Sequence, residues 1–167
     1  MRILGIDPGI ALTGIGLIET DKRGTIVSSD WCTVSTPAKA PMPDRLGELE
    51  EDLEKLIKKY KPDFAVVEKI FFAANEKTAI DVAHARGVIL LTLKNHGIPV
   101  LEPTPLEMKL CITGDGRADK LQVQAMIMRE LKLNEPPRPD DAADALALAL
   151  FGKYNSKVSL ISEHSYH

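Results

Sequence analysis

Cysteine is almost absent from this 167-residue chain: Cys32 and Cys111 are the only two, each alone in its segment. That excludes a disulfide scaffold and a cysteine-bound zinc or redox pair, and both residues read as buried packing groups of a reducing cytoplasm. No apolar run approaches the ~20 residues that cross a bilayer. The N-terminus, MRILGIDPGI, has an acid inside its apolar run and no cleavage signature, so it reads as structure and not as a targeting peptide. Low-complexity sequence and internal repeats are missing. A basic excess is missing too, since the formal net charge is −3. On its face this disfavours a nucleic-acid partner, but a cluster of acids holding divalent cations would offset it, and the placement of Lys and Arg then matters more than their sum.

What is present is an ordinary globular composition, 44% hydrophobic, at a length suited to one domain with a proper core. Residues 2–7, 12–19 and 24–34 are apolar, β-branched runs that predict an antiparallel meander, with Pro8-Gly9 turning the first into the second. Pro37, Pro41 and Pro43 mark a loop. A helix is expected over 44–60, with Leu46, Leu49, Leu53, Leu56, Ile57 and Tyr60 on one stripe, and Pro62 stops it. The run DFAVVE, 63–68, suits a buried parallel strand. A second helix, 75–96, closes at Gly97, and a last strand spans 98–103. Thr104-Pro105-Leu106-Glu107 is a capping box that starts a helix. Two more helices are expected over 118–132 and 140–153, the latter after a joint of Pro136, Pro137 and Pro139. The order predicts an α/β fold with a five-stranded mixed sheet flanked by helices on both faces. In the second helix the segment 87–93 is apolar nearly all round. One sheet face cannot cover it, so it is either wedged among neighbouring helices or part of a homodimer interface.

Four acids stand out. Asp7 and Glu68 each end an apolar strand, where α/β sheets place their sites. Asp141 and Asp144, three apart, share a helical face, and Asp144 falls among the apolar residues of DAADALALAL. Taken singly, Asp7 reads as a turn residue, Glu68 as a partner of Lys69, and Asp140 and Asp141 as helix N-terminal decoration. Together they suggest oxygen ligands converging on a hard divalent cation and a phosphoryl-transfer site.

The stretches GIDPG with TGIGLI, PDFAVVE with KIFFAANEKTA, AHARGV, LEMK, GDGRADKLQVQAM and PRPDDAADALALA, in that order over residues 1 to about 150, resemble the RuvC family of bacterial Holliday-junction resolvases, in the RNase H-like superfamily. The resemblance implies an RNase H-like nuclease domain over 1–153 and a short polar tail over 154–167. It implies a crossover junction endodeoxyribonuclease of DNA recombination and repair, nicking four-way DNA symmetrically and leaving 5′-phosphate and 3′-hydroxyl ends. Asp7, Glu68, Asp141 and Asp144 would be the catalytic and metal-binding acids, holding two Mg²⁺, with Mn²⁺ as a possible substitute and Asp7 bridging the pair. Asp140 has no ligand counterpart and is taken as a helix cap. Lys109 and Lys120, with Arg117 and Lys77 nearby, would hold DNA phosphates, and Phe71 would wedge against a base near the crossover. The implied partners are four-way junction DNA, a second copy of the chain, and the branch-migration complex RuvA–RuvB. The cytoplasm is the expected location. Another RNase H-like nuclease, acting on RNA or RNA–DNA hybrids, would use the same acids. An actin-like ATPase would need a duplicated domain, and a junction-binding module without activity would need a broken acid set.

Overall fold

A computed structural model of the chain describes residues 1–69 and 76–162, with 76–78 and 157–162 described in backbone only. Its elements, in chain order, are β1 (Arg2–Asp7), β2 (Leu12–Thr20), β3 (Ile26–Ser35), α1 (Met42–Tyr60), β4 (Phe64–Val67), α2 (Glu76–Asn95), β5 (Val100–Leu101), α3 (Pro105–Thr113), α4 (Lys120–Leu131) and α5 (Asp140–Ser162). The five strands form one mixed sheet in the order β3-β2-β1-β4-β5. The first three pair antiparallel, while β4 runs parallel to both β1 and β5. The meander and the buried parallel strand are as the sequence predicts.

Strand periodicity divides the interior into two cores. Leu4, Ile6, Ala65 and Val67 point to one face and pack against Leu49, Leu53 and Ile57 of α1 and Ala85, Ile89 and Leu93 of α2. Ile3, Phe64 and Val66 point to the other, under α3, α4 and the Ala-Leu face of α5. Alternation by two then dictates where the acids go: Asp7 follows Ile3 and Gly5, and Glu68 follows Phe64 and Val66, so both project to the α5 face.

Three expectations change. The strand expected over 98–103 pairs only at Val100–Leu101. Pro99 and Pro103 can accept but not donate: their carbonyls take the amides of Ala65 and Lys69, both at 2.9 Å, and their missing N–H groups end the ladder on either side. The last helix does not stop at 153 but runs to Ser162. Gly152, near the expected end, is a packing seat rather than a terminus, because a Cβ there would stand 2.7 Å from Val66 and 2.8 Å from Ile3. Neither cysteine is fully buried; Cys32 and Cys111 are half-exposed thiols. Along α2, Ala85, Ile89 and Leu93 are buried, while Ile80 and Leu91 are 65% and 57% exposed on the opposite side. No neighbouring helix among the described residues covers those two side chains. Among the described residues no helix is long and apolar enough to cross a membrane.

Candidate active site

The site is assembled by a helix lying on bare backbone. Gly14 pairs with Asp7 and Gly16 with Gly5 across β1 and β2. Cβ atoms on these glycines would meet α5 main chain: 2.0 Å from the Asp141 carbonyl oxygen for Gly14, 2.0 Å from that of Ala145 for Gly5, and 2.6 Å from the Leu146 amide for Gly16. With no side chains between them, helix and sheet approach closely, and the first turn of α5 comes to rest beside Asp7. On the other flank of β1, Glu68 lies one step beyond the Ile6–Val67 pair.

Asp7, Glu68 and Asp144 line one cavity of about 220 Å³ with Lys109 and Lys120, over an apolar floor of Met108, Val123 and Leu148. Asp141 is outside the lining, but its charge is felt there. Burial first, and then the charges of Glu68, Asp144 and Asp141, push the Asp7 carboxyl up to about 8. Burial and the charge of Asp144 raise Glu68 to about 7, with Lys109 opposing. Burial also raises Asp144, against the pull of Lys120.

Lys120 Nζ sits 3.1 Å from Asp140 Oδ2 and 3.4 Å from Asp144 Oδ2. Partial burial opposes its charged form, but these two acids outweigh that and raise its pKa. Asp140 is therefore an ion-pair partner. It stands in the first turn of α5, where the sequence places a helix-terminal acid, and there it meets a lysine from α4. Arg117 is exposed in the turn after Gly116, where its amide bonds Asp115 Oδ1 at 2.8 Å, and it is not part of the cavity wall. Phe71 lies outside the described residues, as does the side chain of Lys77.

Local sequence explains how the lysines arrive. Thr104 and Glu107 form the predicted capping box at the start of α3, ahead of Lys109. Asp119 and Gln122 form a second box at the start of α4, immediately before Lys120, which the sequence reading passed over although the D-x-x-Q spacing was visible. Arg86 carries no such signal in the sequence. Arg86 Nε donates to the backbone oxygen of Glu68 at 2.8 Å, and its Nη2 pairs with the Glu102 carboxylate. The strand end that carries Glu68 is thereby tied to α2 and to the segment after β5.

The donor set fits a hard divalent cation by chemistry and charge. All its members are oxygen ligands, and the raised Asp7 and Glu68 mark a pocket short of positive charge. It is not a preformed cage: among the described residues no three His, Cys, Asp or Glu groups stand close enough to hold an ion as placed. Like charges facing one another spread apart, and Lys120 takes up part of the field.

The pKa shifts set a testable sign. A carboxyl raised in the folded state keeps its proton where the unfolded chain has lost it, so its contribution to stability drains away as pH climbs from about 4 to about 8. In EDTA, Asp7→Asn is expected to match the wild-type melting temperature near pH 4 and to exceed it increasingly up to pH 8. Added Mg²⁺ should reverse the order at pH 8. Parallel melting curves for both proteins across that range would count against the coupling.

The family model described as crossover junction endodeoxyribonuclease RuvC matches residues 3–151. The chain is 47% identical to the RuvC of Syntrophomonas wolfei over 99% of its own length and 95% of that protein. It is 49% identical to that of a Synechococcus strain, over 91% and 97%. Among solved structures, Thermus thermophilus RuvC superposes with a TM-score of 0.84 at 30% identity, covering 95% of this chain and 96% of that one, as does its complex with a Holliday junction substrate. The yeast mitochondrial resolvase Ydc2, at 16% identity and a TM-score of 0.62, shares the fold. The architecture is thus RNase H-like, as expected. With the match running through both strand-end acids and the helix that brings Asp141 and Asp144 to them, this chain belongs to the RuvC family of crossover junction endodeoxyribonucleases.

Proposed function

We propose that the chain resolves four-way DNA junctions by paired nicks, with Asp7, Glu68, Asp141 and Asp144 as the acids that hold the catalytic cations. The observation that carries this reading is the cavity that gathers Asp7, Glu68 and Asp144 with two lysines on its wall. Family membership supports a divalent metal; the finer reading is two Mg²⁺, or Mn²⁺, since oxygen ligands suit both. When bound, such a pair activates water and stabilises the leaving oxygen of a phosphodiester, giving 5′-phosphate and 3′-hydroxyl products.

The chain's own groups do the rest. Lys109 and Lys120 offer ammonium groups to the non-bridging phosphate oxygens. Lys120 remains tethered by Asp140 once Asp144 turns to a cation. Arg117 and Lys77 extend the phosphate track, and Phe71 stacks on a base at the crossover. The exposed Ile80 and Leu91 on α2 suit a two-fold interface between two copies, which gives one site for each continuous strand. In this reading the nuclease domain is residues 1–153, and the protein works in the cytoplasm with RuvA–RuvB.

A labelled synthetic four-way junction, incubated with Mg²⁺ or with EDTA beside linear duplex and RNA–DNA hybrid, tests the reading. Symmetric nicks are expected on the junction alone and only with metal. Cutting of the hybrid in preference to the junction would move the chain to the ribonuclease alternative.

A further inference from the structure

The carboxylate of Asp7 accepts no hydrogen bond from any described residue, so its place in the cavity is set by its backbone alone. The turn that follows it is held by buried side chains. Thr13, 1% exposed, donates its hydroxyl to the Gly9 carbonyl at 2.6 Å. Thr36, just past β3, donates its hydroxyl to the Ile10 carbonyl, and its amide bonds the Ala11 carbonyl at 3.3 Å. Arg45 Nε, from the start of α1, donates in turn to Thr36 Oγ1 at 2.9 Å.

Arg45 is an expensive residue to keep there. It is only 9% exposed, its Nη2 is buried without a hydrogen-bond partner, and no described carboxylate pairs with it. A cation near a helix N-terminus also opposes the helix dipole, and a buried charge without a counter-ion is costly. An apolar side chain of the same length would serve packing better. What it would not supply is the donor that occupies one lone pair of Thr36 and so turns the Thr36 hydroxyl hydrogen toward Ile10.

We propose that Arg45 and Thr36 are positioning residues. They form a buried relay from α1 through the end of β3 to Ile10, which fixes the turn behind Asp7 and thereby the carboxylate's bearing on the cation. The proposal rests on Asp7 being a cation ligand. Groups that hydrogen-bond a metal ligand directly typically set metal affinity by about 10–100-fold; Arg45 and Thr36 act one step further out, on the backbone, so the low end of that range is expected.

The test is Mn²⁺ binding by calorimetry on the intact, DNA-free protein, alongside melting temperature, for Arg45→Met, Thr36→Val, the double variant and Asp7→Asn. Arg45→Met is expected to melt no lower than wild type yet bind Mn²⁺ about tenfold more weakly. Thr36→Val, which also strands Arg45 Nε, should melt lower and lose affinity by a similar factor. Because the two residues act as one relay, the double variant should bind no more weakly than Thr36→Val. Wild-type affinity in both single variants would overturn the relay, as would a loss in Arg45→Met that merely tracks a falling melting temperature. A further independent loss in the double variant would overturn it too. Asp7→Asn separates the two levels. If it binds Mn²⁺ like wild type, the ligand assignment itself fails and takes the relay's purpose with it. If it loses binding while the relay variants keep theirs, the relay alone fails.

Discussion

Asp7→Asn is expected to leave the protein folded and able to bind a four-way junction while lowering the cleavage rate by roughly 10³-fold or more. Asparagine preserves the volume and one oxygen but removes the charge, and charge is what the site concentrates at this position. Burial, and then the charges of Glu68, Asp144 and Asp141, lift the Asp7 carboxyl to about 8. Junction binding should survive because Lys109 and Lys120, the proposed phosphate contacts, belong to α3 and α4 and are untouched. Binding by gel shift in Ca²⁺ and single-turnover cleavage in Mg²⁺ measure the two parts separately. Cleavage within tenfold of wild type would remove Asp7 from the chemistry.

Gly14→Ala is expected to be nearly as damaging, by another route. One methyl group at this position would stand 2.0 Å from the Asp141 carbonyl oxygen and 2.5 Å from the carbonyl carbon. Ordinary contact needs about 3.5 Å, and main chain cannot rotate aside, so α5 must lift from the sheet. The helix carries Asp141 and Asp144, and a displacement of about 1 Å in a catalytic group costs on the order of 10²-fold in rate. Overpacking should also cost roughly 1–3 kcal/mol of stability. Gly47→Ala is the control: it lies in α1 with nothing within 4 Å of the added carbon, so helix propensity should make it neutral or slightly stabilising. A Gly14→Ala protein with wild-type rate and melting temperature would show that the helix has slack, and that the seat does not set the geometry.

The sequence was most legible where function depends on local pattern. Period-two alternation carries Asp7 and Glu68 to strand ends on one face, and the motif order brings Asp141 and Asp144 in with them. The capping box at Thr104 is visible as letters. What escaped were the roles that depend on remote main chain. Arg86 acts through the carbonyl of Glu68, and Arg45 acts through a threonine on the carbonyl of Ile10. No spacing rule joins such positions, because the acceptor is a backbone atom that every residue has. Asp140 shows the same limit. By its place in the helix it looks like a cap, and only the approach of α4 makes it the partner of Lys120. Gly5, Gly14 and Gly16 could be read as part of a strand motif, but their use as a seat for α5 depends on which helix lands there.

The order of assembly has a consequence for the living cell. Both strand-end acids leave the ribosome within the first 68 residues, but Asp141 and Asp144 come only with α5. That same helix supplies Ala143, Leu146, Ala147, Leu148, Ala149 and Leu150, the largest share of the core on its face of the sheet. Until it emerges and docks, a nascent polypeptide has two of the four acids and an open flank on that face of the sheet.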